Sequence, residues 1–179
     1  FRCVSPHVEE FSVPGETPAE HVVRLSLLKA REAAAREERG TVIGSDTVVV
    51  LDGDILEKPE SDEEAFTMLS RLQGRTHAVY SGFAIRDAAT GEECAGYEIT
   101  EVSMRQMDED LIRKYIATGE PRDKAGAYGI QGFGAALITA VRGCYFNVMG
   151  LPLSRLMDAL LTFTHGAIGY FGSNAETRT

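Results

Sequence analysis

The sequence predicts an α/β protein built around a mixed β-sheet. In the first half of this 179-residue chain, two amphipathic stretches, residues 17–40 and 61–74, alternate with strand-like runs. In the middle, residues 76–87 and 94–104 are strand-like and are separated by the turn-rich segment "AATGEE", which predicts an antiparallel pair. Alternating strands and helices favour parallel neighbours, so both kinds of pairing are expected in one sheet.

The first helix is predicted over residues 17–40. Thr17 suits its N-cap, Pro18 its first position and Glu20 its third, which together form a capping box. Gly40 suits the position just past its end. On a helical wheel, Lys29 lies close to one edge of an apolar stripe. The stripe consists of Val23, Leu27, Ala30 and Ala34, extended by Val22 and Ala33.

The other predicted elements follow in chain order. They are a strand with an acidic loop at residues 1–11, a mostly buried strand at 41–53, the helix at 61–74, the strands at 76–87 and 94–104, a helix at 108–118, a strand at 136–141 and a helix at 151–163. Residues 119–135 are too rich in glycine for a helix and too polar for a core strand. We expect one domain over residues 1–165 and a loosely ordered tail over residues 166–179.

Composition argues against several classes of partner. The net charge of −9 disfavours binding to nucleic acid or to an anionic membrane, although a small anionic ligand is compatible with locally converging lysines. No stretch approaches the roughly 20 apolar residues of a membrane span. The three cysteines lack paired spacing, which disfavours a disulfide framework or a zinc site and fits a cytoplasmic location.

Asp46 is the first candidate for chemistry because it stands at the head of a buried strand. Burying an ionised carboxylate without a partner is costly. Either nearby backbone N–H groups satisfy Asp46, or it acts as a general base or a Mg²⁺ ligand held by the sheet. Lys29 also has two explanations: its side chain extends past the apolar stripe into solvent, or it is aimed at a phosphate.

Lys58 and the glycine-rich segment are the other candidates. Pro59 biases Lys58 towards an extended backbone, and Lys58 is either a surface lysine or a phosphate ligand. Residues 119–135 carry Lys124 and Gln131 and form either an ordinary loop or a cradle of exposed N–H groups for an anion. The glycine spacing is not that of a Walker A loop.

Together these residues predict a cleft for a metal-bound polyphosphate. The lysines would offset phosphate charge. The acidic residues Glu9, Glu10 and Asp46 would hold Mg²⁺, which usually binds through one or two carboxylates plus phosphate oxygens. The residues alone therefore favour a nucleotide or phosphate hydrolase without identifying its substrate.

Several blocks of the sequence resemble the Maf family of nucleotide pyrophosphatases, which are also described as septum-formation inhibitor proteins. The blocks are "GSDTVVVLDGDILEKP", "SGFAI", "GEPRDKAGAYGIQGFGA" and "GCYFNVMGLPL". The resemblance covers roughly residues 1–163. It implies an inosine-triphosphatase-like fold, with an elongated mixed sheet flanked by helices, a cleft between two lobes and often a homodimer.

The resemblance also implies an activity and a set of site residues. The activity is hydrolysis of dTTP or UTP to the monophosphate and pyrophosphate with a divalent metal, Mg²⁺ or Mn²⁺. Asp46 matches the catalytic carboxylate that activates water and, with Glu10, a metal partner, so a metal-bound triphosphate rather than a side chain is its expected partner. Thr47 and Gln131 match positions associated with base selection. The lysines on the phosphate side match Lys29, Lys58 and Lys124.

One family feature has no counterpart here. Members normally begin with a strand and a Ser-x-Ser-Pro-Arg-Arg segment that supplies a serine and two arginines to the triphosphate, whereas "VSPH" at residues 4–7 has no following arginines. Arginine is hard to replace in bidentate phosphate recognition, so we expect weak activity from these 179 residues. Equal dTTP turnover by this chain and by one that carries the segment would contradict the expectation.

Two other functions stay open at this point. One is a nucleotide-binding regulator of cell division that has lost catalysis, and the other is an inosine-triphosphatase-like enzyme acting on deaminated purines. A nucleic-acid binder is disfavoured because the chain has no basic stripe.

Overall fold

A computed structural model describes residues 1–165; the predicted tail at residues 166–179 lies outside the described residues. The helices are α1 (Pro18–Ala34), α2 (Asp62–Leu72), α3 (Glu109–Ile116), α4 (Tyr145–Val148) and α5 (Leu153–Phe163). The strands are β1 (Thr41–Leu51), β2 (Asp54–Leu56), β3 (Thr76–Asp87), β4 (Glu93–Met104) and β5 (Ile138–Arg142).

The strands form one sheet in the order β2-β1-β3-β4-β5, flanked by helices, which confirms the α/β class. Each pairing between these strands is antiparallel, so the parallel neighbours expected of a mixed sheet are not found within residues 1–165. Between β1 and β3 the chain passes through β2 and α2 and returns in the opposite direction. Alternation of helix and strand therefore does not produce a parallel crossover here.

Helix α1 lies directly on β1 and β3. A Cβ atom at Gly44 would stand 2.3 Å from the Ser26 carbonyl oxygen, and a Cβ atom at Gly82 would stand 2.3 Å from the Val22 carbonyl oxygen. Only glycine permits so close an approach between a helix and a strand. The approach brings side chains on the inner face of α1 against β1.

Helix α1 begins as predicted and ends earlier. The Thr17 hydroxyl accepts a hydrogen bond from the Glu20 N–H, and the Glu20 carboxylate accepts one from the Thr17 N–H, so the capping box is confirmed. The helix ends at Ala34 rather than continuing to Gly40. Residues 35–39, "AREER", have no large apolar side chain to bury, so packing does not prolong the helix.

The buried face of α1 is rotated from the predicted stripe. Val23 and Leu27 are only partly buried, whereas Ser26 is fully buried. Ser26 tolerates burial because its hydroxyl donates to the Val22 carbonyl oxygen at 2.6 Å. The buried residues of α1 are His21, Val22, Leu25, Ser26, Ala30, Ala33 and Ala34.

Residues 1–11 form no strand, so that prediction was wrong. This segment lies along α1 instead. Arg24 donates to the Phe11 carbonyl oxygen at 2.8 Å, and its Nε lies 2.6 Å from Glu16 Oε1. Contacts with the helix take the place of strand pairing in this segment, and they bring Glu10 close to Lys29 of α1.

The largest apolar core lies between the sheet and helices α2 and α3, and it includes Val49, Leu69, Val102 and Ile112. A smaller cluster joins β3 to α5. The glycine-rich segment folds as three short 3₁₀ turns, Glu120–Asp123, Ala125–Ala127 and Gly132–Leu137, as expected of a stretch that suits neither a long helix nor a core strand. No helix in the described part of the chain is long and apolar enough to cross a membrane.

Candidate active site

A cavity of about 450 Å³ opens beside β1 and α1. Glu9 does not line it, whereas the other site residues that the sequence predicted lie on its wall. These residues are Glu10, Lys29, Asp46, Thr47, Lys58, Lys124 and Gln131. The fold thus collects residues from distant parts of the chain in one place, while their individual roles stay predictions.

The cavity follows an open edge of β1. Strand β2 pairs with β1 only at Val49–Leu51, and β3 occupies the opposite edge. No other strand among residues 1–165 covers β1 ahead of Val49, so this edge is unpaired where Ser45, Asp46, Thr47 and Val48 line the cavity. Consecutive side chains of a strand point to opposite faces. Asp46 therefore reaches the cavity from the α1 face, and Thr47 reaches it from the α4 face.

Asp46 has a side-chain partner, Lys29. The Lys29 ammonium lies 2.6 Å from Asp46 Oδ1 and 2.7 Å from Glu10 Oε1. The side chains of Lys29 and Asp46 are only 15% and 8% exposed, so this contact is shielded from water. The structure therefore shows that a side chain does pair with Asp46, contrary to the expectation. Of the two explanations for Lys29, it contradicts the one in which the side chain extends into solvent.

The ionised forms of Lys29 and Glu10 are stabilised. Burial alone would lower the pKa of Lys29, but its hydrogen bonds to Asp46 and Glu10 outweigh burial and raise that pKa. Burial would raise the pKa of Glu10, but the hydrogen bond from Lys29 and the charges of Lys29 and Lys58 lower it. Lys29 is therefore a cation and Glu10 an anion at neutral pH.

Lys58 and Lys124 lie on two connected loops of the cavity wall. The Gly126 N–H donates to the Glu57 carbonyl oxygen at 3.0 Å, which attaches the glycine-rich segment to the loop that carries Lys58. Lys124 Nζ lies 2.7 Å from Asp123 Oδ1. Lys58 forms no ion pair with a residue of the described chain, and a free ammonium on a cavity wall suits an anionic ligand.

The backbone on either side of Gln131 is held by side chains. The Tyr115 hydroxyl accepts a hydrogen bond from the Gly129 N–H at 3.1 Å, and the Glu120 carboxylate accepts one from the Gly134 N–H at 3.0 Å. Burial raises the pKa of Tyr115 to about 12, so its hydroxyl stays protonated. The loop that presents Gln131 is therefore ordered by groups outside the cavity.

Sequence reasoning missed part of the wall. His21 shares the buried face of α1 with Lys29, and its Nδ1 lies 3.2 Å from Glu16 Oε2; the eight-residue spacing on the wheel was the available signal. The Tyr128 hydroxyl lies 2.7 Å from His77 Nε2, and no local pattern connects these two residues. Further wall residues are Ser45, Glu57, Asp123, Met149 and Gly150.

The carboxylates fit a divalent metal that is bound together with a phosphate ligand. Within residues 1–165, no group of three or more His, Cys, Asp or Glu side chains could hold a metal by itself. Glu10 and Asp46 nevertheless share one cation, the Lys29 ammonium. Two carboxylates completed by phosphate oxygens and water suit Mg²⁺.

An open-edged antiparallel sheet with lysines and carboxylates in one cleft defines an α/β protein equipped to bind an anionic ligand. More particularly, the chain belongs to the Maf-like protein family, whose family model matches residues 1–163.

Curated relatives agree with this assignment. The chain is 49% identical over 176 residues to a dTTP/UTP pyrophosphatase of Syntrophotalea carbinolica, covering 97% of this chain and 79% of that protein. It is 48% identical over 168 residues to a protein of the same name from Pelotomaculum thermopropionicum, covering 94% and 88%. A third, from Clostridium perfringens, is 45% identical over 162 residues, covering 89% and 84%.

Proposed function

We propose that this chain hydrolyses dTTP and UTP to the nucleoside monophosphate and pyrophosphate. The observation that carries the proposal is the cavity in which three lysines meet the carboxylates of Glu10 and Asp46. Ammonium groups offset the charge of a triphosphate. The names of the three relatives support dTTP and UTP as substrates.

In this proposal Asp46 is the general base. Hydrolysis to these products adds a water oxygen to the α-phosphorus and breaks its bond to the oxygen that bridges to the β-phosphorus. The water gives up a proton to a base, and Asp46 is a buried carboxylate on a strand of the cavity wall. A positioned base contributes about 10²–10⁴-fold to such a step.

Glu10 and Asp46 are the proposed ligands of a divalent metal, Mg²⁺ or Mn²⁺. When bound, such a metal offsets phosphate charge and polarises the phosphoryl oxygen. Lys29 holds the two carboxylates together, and Lys58 and Lys124 bind phosphate oxygens.

Thr47 and Gln131 are the proposed base-selecting residues. Both line the cavity, and Thr47 projects from the face of β1 opposite Asp46. The base and the reacting phosphate are thereby held on opposite sides of the strand edge.

Pyrophosphate release from a substrate panel tests the proposal. The panel is dTTP, UTP, CTP, ITP and 7-methyl-GTP, each with Mg²⁺ and with Mn²⁺. We expect the highest kcat/KM for dTTP and UTP. A preference for ITP would favour the inosine-triphosphatase-like alternative. Thermal protection by dTTP without release of pyrophosphate would favour the nucleotide-binding regulator of cell division.

We also propose that the chain forms a homodimer. Large apolar side chains are exposed on β4 and around α4, among them Tyr97, Ile99, Phe146 and Met149, and exposed apolar surface supports a protein partner. Light scattering coupled to size-exclusion chromatography measures the mass, and a monomeric mass would contradict the proposal.

A cytoplasmic location completes the proposal. Cys3, Cys94 and Cys144 are all free thiols, which suits a reducing compartment. Fractionation of cells that produce the protein tests the location, and recovery outside the cytoplasm would contradict it.

A further inference from the structure

Thr47 is the first member of a chain of hydrogen bonds that leads away from the cavity. Its Oγ1 lies 2.7 Å from Ser81 Oγ. Ser81 Oγ in turn lies 2.7 Å from the backbone carbonyl oxygen of Asn147. Ser81 is fully buried, so no water competes for its hydroxyl.

The far end of this chain is rigid. Asn147 is fully buried, and its side-chain Nδ2 donates to the Val79 carbonyl oxygen and to Thr100 Oγ1, each at 3.0 Å. These two bonds connect the Asn147 residue to β3 and β4. Its backbone carbonyl oxygen is therefore held in place, and it can only accept a hydrogen bond. This fixes the direction of the hydrogen bonds between it and Thr47.

Each hydroxyl group has one proton to donate, and this identifies the donor in both contacts of Ser81. Two oxygen atoms 2.7 Å apart need a proton between them, because lone pairs facing each other at that distance repel. The contact between Ser81 and Asn147 uses the one proton of the Ser81 hydroxyl, since a carbonyl has none. The contact between Thr47 and Ser81 must then use the proton of Thr47. Thr47 therefore donates to Ser81, and its Oγ1 retains only lone pairs for a ligand.

We propose that Ser81 determines base selectivity by fixing Thr47 as a hydrogen-bond acceptor towards the cavity. This inference rests on the proposed function, because it assumes that a pyrimidine base lies against Thr47. Ser81 is a positioning residue: it acts through Thr47 and does not line the cavity wall.

An acceptor at Thr47 would distinguish the pyrimidine bases because they carry different hydrogen-bonding groups at N3. In a uridine or thymidine nucleotide, the imide N3–H is the one N–H donor of the ring, so it matches an acceptor. Cytosine presents an unprotonated N3 at the same position, so two acceptors would face each other. A buried polar group left without a partner is costly, and sites built on such a contact discriminate strongly.

The test compares Ser81→Ala with the unaltered protein. Pyrophosphate release gives kcat/KM for UTP and for CTP, each with Mg²⁺. Removal of the Ser81 hydroxyl frees the Thr47 hydroxyl to rotate and to donate to N3 of cytosine. We expect the ratio of kcat/KM for UTP to that for CTP to fall about tenfold or more. A general loosening of the fold would lower both values together, so an unchanged ratio would overturn the inference.

Three further variants sharpen the comparison. Ser81→Thr keeps the hydroxyl and should keep the ratio. Ser103→Ala removes a serine from another hydroxyl pair of the same sheet, Thr76 with Ser103 at 2.8 Å, outside the cavity wall, and should also keep it. Thr47→Val removes the acceptor itself and should also lower the ratio of kcat/KM for UTP to that for CTP. The double variant Thr47→Val with Ser81→Ala should have no lower a ratio than Thr47→Val alone. Independent, additive effects of the two substitutions would overturn the inference.

Folding and function failures are distinguishable in this design. If Ser81→Ala does not fold, Thr47→Val alone decides, and an unchanged ratio in Thr47→Val overturns the inference. If the unaltered protein releases no pyrophosphate from UTP or dTTP, the proposed function itself is wrong, and the base-selectivity inference is overturned with it.

Discussion

The ammonium of Lys29 lies 2.6 Å from Asp46 Oδ1, and this contact joins the inner face of α1 to the open edge of β1. The contact depends on how closely the helix approaches the sheet, which Gly44 and Gly82 permit. The same ammonium reaches Glu10. One lysine therefore connects a helix, a strand and the N-terminal segment at the proposed catalytic centre.

Asp46→Asn should abolish most activity while keeping the shape of the side chain. Without the carboxylate, the attacking water loses its proton acceptor, so we expect kcat for dTTP to fall about 10²-fold or more. Pyrophosphate release at saturating dTTP and Mg²⁺ measures the effect. Asp54→Asn is the matched control because Asp54 pairs with Arg71 on the exposed surface. Undiminished turnover in Asp46→Asn would remove this residue from the mechanism.

Lys29→Met should lower both stability and activity. The substitution keeps side-chain length but leaves the buried Asp46 carboxylate without its partner. Removing one member of a fully buried pair costs about 3–5 kcal/mol, and the slight exposure of this pair reduces the expected loss to about 2 kcal/mol. Urea unfolding measures the free energy, and dTTP turnover measures the activity.

Lys114→Met is the control for Lys29→Met. Lys114 forms an exposed pair with Asp110 one helical turn away, and such solvent-screened pairs contribute little to stability. Equal destabilisation by the two substitutions would show that the contact between Lys29 and Asp46 stabilises the protein no more than an exposed ion pair does.

Gly44→Ala should separate α1 from the sheet. The added Cβ would lie 2.3 Å from the Ser26 carbonyl oxygen and 2.7 Å from the Ala30 nitrogen, so the helix must shift. We expect a loss of about 2 kcal/mol or more, together with a loss of dTTP turnover, because Lys29 moves with the helix. Thermal unfolding and pyrophosphate release provide the two measurements.

Gly53→Ala is the control for Gly44→Ala. Gly53 has φ +92° with no atom within 4 Å of an added Cβ, so alanine there strains only its own backbone. It should lose some stability and keep its turnover. If Gly44→Ala also retained full turnover, the helix approach would not matter for the site.

The protein should lose stability in mild acid because His77 is buried in its neutral form. Burial lowers the pKa of His77 to about 4, whereas an unfolded histidine titrates near about 6.5. As the pH falls through about 6.5 the unfolded state takes up a proton that the native state refuses until about pH 4. Stability therefore falls across this window, by up to about 3 kcal/mol in total.

Urea unfolding at several pH values between 4 and 7.5 measures this effect for the unaltered protein and for His77→Gln. The difference in their pH slopes between about 4 and 6.5 isolates His77. His7→Gln, at an exposed position, is the control and should leave the slope unchanged. Parallel curves for the unaltered protein and His77→Gln would contradict the prediction.

Glu10→Gln should lower the affinity of the site for the divalent metal. Activity should disappear in EDTA and return with Mg²⁺, and Glu10→Gln should raise the Mg²⁺ concentration needed for half-maximal turnover about tenfold, because one proposed oxygen ligand loses its charge. Glu9→Gln changes the neighbouring residue, which does not line the cavity, and should leave the requirement unchanged. Equal metal requirements in all three proteins would exclude Glu10 as a ligand.

Most elements of the fold were predictable because their signals are local. The capping box at Thr17 forms as predicted, and the helix expected at residues 61–74 is found at Asp62–Leu72. Strand pairing was less predictable because direction depends on where the chain goes between strands. The strand predicted at residues 1–11 failed for a related reason: its partner in the folded protein is α1 rather than a sheet edge.

Sequence patterns predicted many of the residues that line the cavity, although they missed His21 and Tyr128. Asp46 at the head of a buried strand, the three lysines and the glycine-rich segment were each unusual for a purely structural role, and all of them line one cavity. Local chemistry suffices for Asp46 and Lys29, because a charged residue within or beside an apolar pattern is visible without coordinates.

The contacts among these residues depend on the tertiary structure. The pairing of Asp46 with Lys29 and the hydrogen bond between Thr47 and Ser81 both join residues distant in the chain. Distances of this kind depend on strand register and on the approach of α1 to Gly44. Both are properties of packing, which no local pattern of residues encodes.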